Sequence, residues 1–444
     1  MGSLIARRVH VTQFQMGGLL TYCTPDYGCD QANNSDASSL RVVQSLIDNN
    51  HSSQNGAGVF SYGAGSGLSI EQSAIVNNFS DSSGGGVFVG GGWGVPTIED
   101  STISGNTGFW GGGINAQFAP EANTYLWLFN TTVANNHAFL SGGGIFFYGD
   151  PGPAKDLHID SSIINNNTAG DYPDEPNINS DWGTGNMLCD RNTLLYIVPG
   201  LPQPTQGTPP NLCRFDVTDA VLGPLMPMGG AGNLPVHALL KSSPAIDAAV
   251  DSNDGTQQRD SWSGSLDPPS PPAWTLWDRV IDGDGNGSLV RDLGAYEANT
   301  RWQTELLALQ AKGSASLTTV TSPSGYDRGA GQNYASSSAT NQFVTYVVPV
   351  AQTGSYSVGV GVRKASNAGR FQLAVASSPG GPWTNIGSEQ DTFASSATFS
   401  ALSISSSFNF GSVGQKYVRF TVTGKNGSSS SFQLFLDYVR LTKL

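Results

Sequence analysis

The stretches ISGNTGFWGGGI at residues 103–114 and VANNHAFLSGGGI at 133–145 are two copies of one pattern: an aliphatic pair, an asparagine, then a short loop ending in glycines. LIDNNHSSQNGAGV at 46–59 and IVNNFSDSSGGGV at 75–87 repeat it upstream. The repeated asparagines are Asn50, Asn78, Asn106, Asn136 and Asn166, at spacings of 28, 28, 30 and 30 residues. A fixed period of this size marks a solenoid. Helical repeats need Ala, Leu, Glu and Lys at a 3.6-residue period, whereas SAIV, STIS, TTVA and SSII are short β-branched runs separated by Gly, Asn and Ser. Each coil is therefore expected to hold three short strands and three turns. Equivalent strands then pair in parallel at about 4.8 Å per coil.

Stacking accounts for both repeated residue types. An asparagine at a corner tolerates left-handed backbone, and its amide can bond to the asparagines above and below. Gly58, Gly86, Gly113 and Gly144 are expected to supply positive φ where the next strand begins.

These repeats resemble those of right-handed parallel β-helix proteins, especially bacterial surface proteins of the polymorphic outer-membrane type. SSPAIDAAVDSNDGTQQRD (242–260) and IDGDGNGSLVRDLGAYE (281–297) resemble the end of choice-of-anchor β-helical surface proteins, with QQRD where that family has DQRG. The resemblance covers about residues 38–300 and implies an extracellular or cell-surface location. It assigns no activity.

Charge separates the chain into two parts. Residues 1–300 hold 10 Lys and Arg against 29 Asp and Glu, a net −19, and residues 301–444 hold 11 against 5, a net +6. The acidic part excludes nucleic acid as a partner, and the basic part lacks the clustered stripe that such binding needs. No apolar run reaches the length of a membrane-spanning helix, and MGSLIARRVHVTQFQMGG has no apolar h-region of a signal peptide. The expected domains are a β-helix over 1–300, with regular coils at about 38–170 and an irregular end at 171–300, then a second domain over 301–444. Cys23 with Cys29, and Cys189 with Cys213, lie close in sequence in Gly-, Pro- and Asp-rich stretches that read as loops outside the repeat. They are expected to form disulfides; zinc is the alternative.

Beyond residue 301 the pattern alternates, in FVTYVVPV, GSYSVGVGVRK, RFQLAVAS, KYVRFTVTG and FQLFLDYVRL, as an antiparallel sandwich requires. LQA (309–311), FVTYVVPVAQTGSYSV (343–358), KYVRFTVTGKN and FLDYVRL resemble jelly-roll carbohydrate-binding modules of bacterial polysaccharide-active enzymes. The fold class is thus all-β: a right-handed parallel β-helix followed by an antiparallel β-sandwich. The second resemblance implies sugar binding through aromatic side chains and a structural calcium. Lys312 stands where many members carry an acid, and Asp437 is the acid left to serve that ion.

Sugar binding needs flat aromatic faces flanked by amides or charges. Trp383, Tyr334, Tyr326 and Asn426, in segments that read as loops, are the candidates. A separate calcium candidate is the DxDxNG stretch Asp282, Asp284 and Asn286, closed by Asp292; a plain Asp/Gly turn is the alternative.

Between residues 42 and 168 only Lys155 offers the basic side chain that a polysaccharide lyase needs. Asp100 and Asp160 are the candidate carboxylates for hydrolysis, expected two coils apart, about 10 Å. The residues point first to a secreted polysaccharide-binding protein with the β-helix as platform. A glycoside hydrolase or polysaccharide lyase, and an adhesin fragment of the cell surface, are the alternatives.

Overall fold

The computed structural model describes residues 3–23, 39–63, 67–91, 95–118, 124–149, 155–173, 177–182, 186–189, 193–195, 205–206, 213–214, 218–227, 234–249, 280–281, 290–295, 301–321, 326, 330–338 and 341–444. The chain divides into two compact units, with the main break before Asn299.

The first unit is a right-handed parallel β-helix with four strands per coil rather than three. One full coil runs Ser39–Val43, Leu46–Asp48, His51–Ser52 and Val59–Gly63, and the next begins at Gly67–Glu71. Each strand pairs in parallel with its equivalent one coil on, which makes four faces, numbered here in that order, of eight, eight, five and six strands. Alternation sets the core: Leu40 and Val42 point inward with no exposure, as do their partners Leu68 and Ile70, while Arg41 points out.

The coils start earlier and run further than the repeat suggested. Ser3–Arg7 pairs with Ser39–Val43, and Leu19–Cys23 pairs with Val59–Gly63 behind a glycine corner at Gly17 (φ 92°). Past residue 170 the first two faces continue in Asn186–Cys189, Thr193–Leu195, Thr205–Gln206 and Cys213–Arg214. Cys23, Cys189 and Cys213 therefore lie on strands of the coil, not in loops outside it; Cys29 lies outside the described residues.

The asparagine ladder is present, and two adjacent residues share the work expected of one. Asn49, Asn77, Asn135 and Asn166 adopt left-handed backbone (φ 53–58°), and the residue after each carries the buried amide. Asn106 Oδ1 accepts from the Asn78 backbone N–H (2.9 Å) and side-chain amide (3.0 Å). Its own amide donates to Ile75 O (2.9 Å) and Asn136 Oδ1 (3.0 Å). The fifth rung is Asn167, not Asn166: Asn136 donates to Asn167 Oδ1, while Asn166 is exposed. Asn177 takes the next place, its Oδ1 accepting from the Asn167 backbone N–H and side-chain amide.

The glycine runs divide their labour too. Positive φ belongs to the first glycine, Gly56, Gly84, Gly111 and Gly142 (63–71°), not to the one before the strand. At Gly86 the constraint is space, since a Cβ would stand 2.6 Å from Gly113 O and 2.9 Å from the Asn106 amide.

Two further segments close on the solenoid. In the pair Leu222–Pro227 and Pro235–Leu239, His237 is buried against the second face. Its Nδ1 donates to Gly223 O (2.7 Å), and its Nε2 accepts from Ser104 Oγ (2.8 Å). The SPAID and DLGA motifs meet each other: Asp247 N donates to Asp292 Oδ1 (2.6 Å) and Leu293 N to Ala245 O (3.0 Å). Gly294 N then donates to Ser161 O and Ala295 N to Thr132 Oγ1, which fixes this segment to the coil.

The second unit is an antiparallel β-sandwich. One sheet is ordered Leu309–Lys312, Phe343–Val350, Gly414–Lys425, Gly369–Ala376 and Thr384–Asp391. The other is Ser316–Val320, Gly331–Ala335, Leu434–Lys443, Gly354–Lys364 and Thr398–Phe410, with Arg301–Gln303 also beside Leu434–Lys443. Tyr334, Tyr346, Phe371, Phe410 and Phe420 fill the core.

Candidate functional site

Two of the expected sugar-binding aromatics are core residues. Tyr334 lies in the strand Gly331–Ala335 with no exposed surface, its hydroxyl donating to Gln342 Oε1 (3.2 Å). Tyr326 is 5% exposed, with Phe399 edge-on to its ring at 4.8 Å. A buried ring offers no face to a pyranose, so neither is a sugar platform.

Trp383 is different, because it lies on the outer face of the five-stranded sheet. That strand surface alternates Val418 and Phe420, buried, with Tyr417 and Arg419, partly exposed. The Arg419 guanidinium lies 3.7 Å from the Trp383 ring centroid and 4.3 Å from that of Phe343, and its Nε donates to Thr345 Oγ1 (3.0 Å). The guanidinium is thus pinned between two rings by cation–π attraction. The result is a partly exposed indole with one ring face covered by the guanidinium and its N–H donors. Asn426 is not part of this group. It donates to Asp391 Oδ2 (2.8 Å) and accepts from Ser428 N (3.0 Å). Thr384, next to Trp383, pairs with Val375, whereas Lys425, next to Asn426, pairs with Gly369; at about 3.3 Å per residue the two ends are ~20 Å apart.

On the solenoid, Asp100 and Asp160 do not share a column. Asp100 belongs to a left-handed corner column with Gln44, Gln72, Asn130 and Ser161 (φ 44–49°). Asp160 aligns with Phe129, and Phe129 with Glu99. Both aspartates are buried, Asp100 accepting from Asn130 Nδ2 (3.2 Å) and Asp160 from Ser161 Oγ (2.7 Å). They fix corners instead of facing a substrate.

The carboxylates that do share a column are Glu71 and Glu99, direct partners on adjacent coils of the first face. Arg41 donates to both Glu71 oxygens (2.7 Å each), and Ser69 Oγ donates to Oε1 (2.6 Å). Burial pushes the Glu99 carboxyl above its ordinary range; the neighbouring Glu71 charge adds to that, and Arg41 opposes it. Nearby, Trp127 stacks on His158 (4.6 Å, 20°) and Tyr125 meets the same imidazole edge-on (5.5 Å). Other aromatics stand on the fourth face, where Phe60 and Phe88 stack at 5.2 Å. On the third face Phe79, Phe109 and Phe139 are exposed.

Asp282, Asp284 and Asn286 lie outside the described residues, between the paired segments Val280–Ile281 and Val290–Arg291. Asp292 is buried and engaged with the Asp247 N–H, which is a structural role. In the sandwich, Asp437 is buried, and Glu305 lies seven residues before Lys312. Burial pushes the Tyr326 hydroxyl up to about 12; Arg363 opposes this, and Asp437 and Glu305 add to it. Among the described residues no three His, Cys, Asp or Glu side chains converge as a metal site. No helix of the described residues is long and apolar enough to cross a membrane.

Residues 31–174 match the family described as the right handed beta helix region. No curated protein matches the chain. Among solved structures, a xanthan lyase from Paenibacillus is 23% identical, over 35% of this chain and 15% of that one, with a TM-score of 0.29. A carbohydrate-binding module of Cellvibrio mixtus lichenase 5A, in complex with cellotriose, is 17% identical over 32% of this chain and 96% of the module, with a TM-score of 0.22. A module CBM36 in complex with calcium and xylotriose is 15% identical over 32% of this chain and all of that one, with a TM-score of 0.22.

Proposed function

We propose that this is a secreted polysaccharide-binding protein whose sandwich holds glycan at Trp383, with the solenoid as a rigid support. The observation that carries this is Trp383 with Arg419 held 3.7 Å from its ring. A pyranose presents a C–H face that stacks on an indole and hydroxyls that accept from a guanidinium, and this pair supplies both surfaces in a fixed geometry. Pre-ordering limits the entropy lost on binding. Calcium belongs to the same proposal as a structural ion at Glu305 and Asp437.

Affinity electrophoresis through gels containing xylan, mixed-linkage β-glucan, mannan or xanthan tests the reading. The wild type is expected to be retarded by at least one of them. Trp383→Ala is expected to lose the retardation, while Tyr334→Phe keeps it because Tyr334 is buried. Retardation unchanged in Trp383→Ala, or absent for the wild type in every gel, would overturn the assignment.

A further inference from the structure

We propose that the first face of the solenoid carries a glycosidic-bond-cleaving cleft, with Glu99 as proton donor and Glu71 as the carboxylate that meets the anomeric carbon. The inference goes beyond binding at Trp383 and rests on the polysaccharide reading for its substrate class.

Register supplies the shape. One outward column reads Arg41, Ser69, Thr97, Trp127 and His158 on successive coils. Ser69 and Thr97 are short, so they form a low floor between two tall walls. Arg41 and Trp127 are three coils, about 14 Å, apart along the axis, which leaves room for a pyranose across the floor. The wall is firm, because Trp127 is stacked on His158. The Trp127 indole N–H, shielded from solvent, meets no acceptor among the described residues.

The neighbouring outward column reads Val43, Glu71, Glu99, Phe129 and Asp160, so both glutamates flank the two floor coils. Their backbones are one coil, about 4.8 Å, apart. From that backbone spacing the two side chains can bring their carboxyl groups to the roughly 5–5.5 Å of retaining glycosidases. The environments also differ in the sense that acid–base chemistry needs, with Glu71 clamped by Arg41 and Ser69 and Glu99 beside it half-buried.

The balanced sequence has two steps. Glu99 gives its proton to the glycosidic oxygen as the bond from that oxygen to C1 breaks, and a Glu71 oxygen bonds to C1. Water then gives a proton to Glu99 while its oxygen bonds to C1 and the C1–Glu71 bond breaks. The products are a new reducing end and a free alcohol, and both carboxyl groups return to their starting states.

The test measures reducing-end release from the same polysaccharides, with the anomeric form of the first product read by proton NMR. The wild type is expected to release reducing ends with retained configuration. Glu99→Gln is expected to lose 10²–10⁴-fold on polysaccharide. It should recover on a 2,4-dinitrophenyl glycoside of the same sugar, whose leaving group needs no proton. Glu71→Gln is expected to be inactive on both, and a melting curve shows whether it folds; if it does not, the Glu99→Gln rescue decides. Gel retardation without release by the wild type overturns the cleft and leaves the binding proposal standing. Release without retardation does the reverse. Inverted product, or release surviving in Glu99→Gln, also overturns the cleft.

Discussion

Replacing Asn106 by alanine removes one rung from the middle of the amide ladder, and the cost can be worked from its bonds. The side chain accepts from Asn78 N and Asn78 Nδ2 and donates to Ile75 O and Asn136 Oδ1, all at 2.9–3.0 Å and with no solvent exposure. Asn78 Nδ2 still donates to Ile47 O, and Asn136 Oδ1 still accepts from Asn106 N, but the Asn78 backbone N–H loses its acceptor. Four bonds at about 1 kcal/mol each give a loss of ~4 kcal/mol. At about 2–4 °C per kcal/mol for a unit of this size, the melting temperature falls by ~8–16 °C. Asn167→Ala is expected to cost nearly as much, whereas Asn166→Ala loses only a left-handed preference of about 1 kcal/mol. Differential scanning calorimetry on the three variants checks this. A fall under about 3 °C for Asn106→Ala, or Asn166→Ala costing more than Asn167→Ala, would refute the ladder.

Burial lowers the His237 pKa below its ordinary 6.5, against the Gly223 bond that raises it, so the folded protein binds this proton more weakly than the unfolded chain. Its contribution to stability is therefore present above about pH 6.5 and is lost as pH falls towards the folded-state value, at up to ~1.4 kcal/mol per pH unit. Urea midpoints from pH 7.5 to 5 should show that slope in the wild type and a shallower one in His237→Gln. Gly86→Ala should destabilise by about 1–3 kcal/mol through overpacking, while Gly380→Ala, where a Cβ meets nothing within 4 Å, should leave the melting curve unchanged. Adding calcium to chelator-treated protein should raise the melting temperature of the sandwich, and Glu305→Gln should remove most of that rise; identical curves with and without calcium would dismiss the ion.

The period was legible because a solenoid must place the same residue at the same corner of every coil. Which of two neighbouring asparagines holds the amide was not, since Asn49-Asn50, Asn77-Asn78 and Asn135-Asn136 offer the same side chain twice. At Asn165-Asn166-Asn167 the spacing selected the wrong one. The sandwich strands were readable from their alternation. Tyr334 was misplaced because GQNYASSS reads as a turn, although Gly331–Ala335 is paired on both sides. Glu99 reads in the sequence as a neighbour of Asp100 on the opposite strand face and so as no partner for it; only the register sets it beside Glu71, 28 residues upstream. Register, which a sequence shows only where the period is unbroken, put Asp160 in the Glu99 column instead of the Asp100 column.

Asn177 occupies the place where earlier coils carry Gly58, Gly86, Gly113 and Gly144, and Ile145 N donates to its carbonyl as Val87 N does to that of Gly113. By swinging an amide into a slot that glycine leaves to the next coil's asparagine, it supplies the acceptor that Asn167 meets. The amide ladder is thereby modular, although the first two faces run on beyond it. Every interior coil presents the same acceptor backward and the same donors forward, so coils can be duplicated or deleted in register between Asn50 and Asn136. Length variation by whole-repeat recombination is thus a low-barrier route for this architecture.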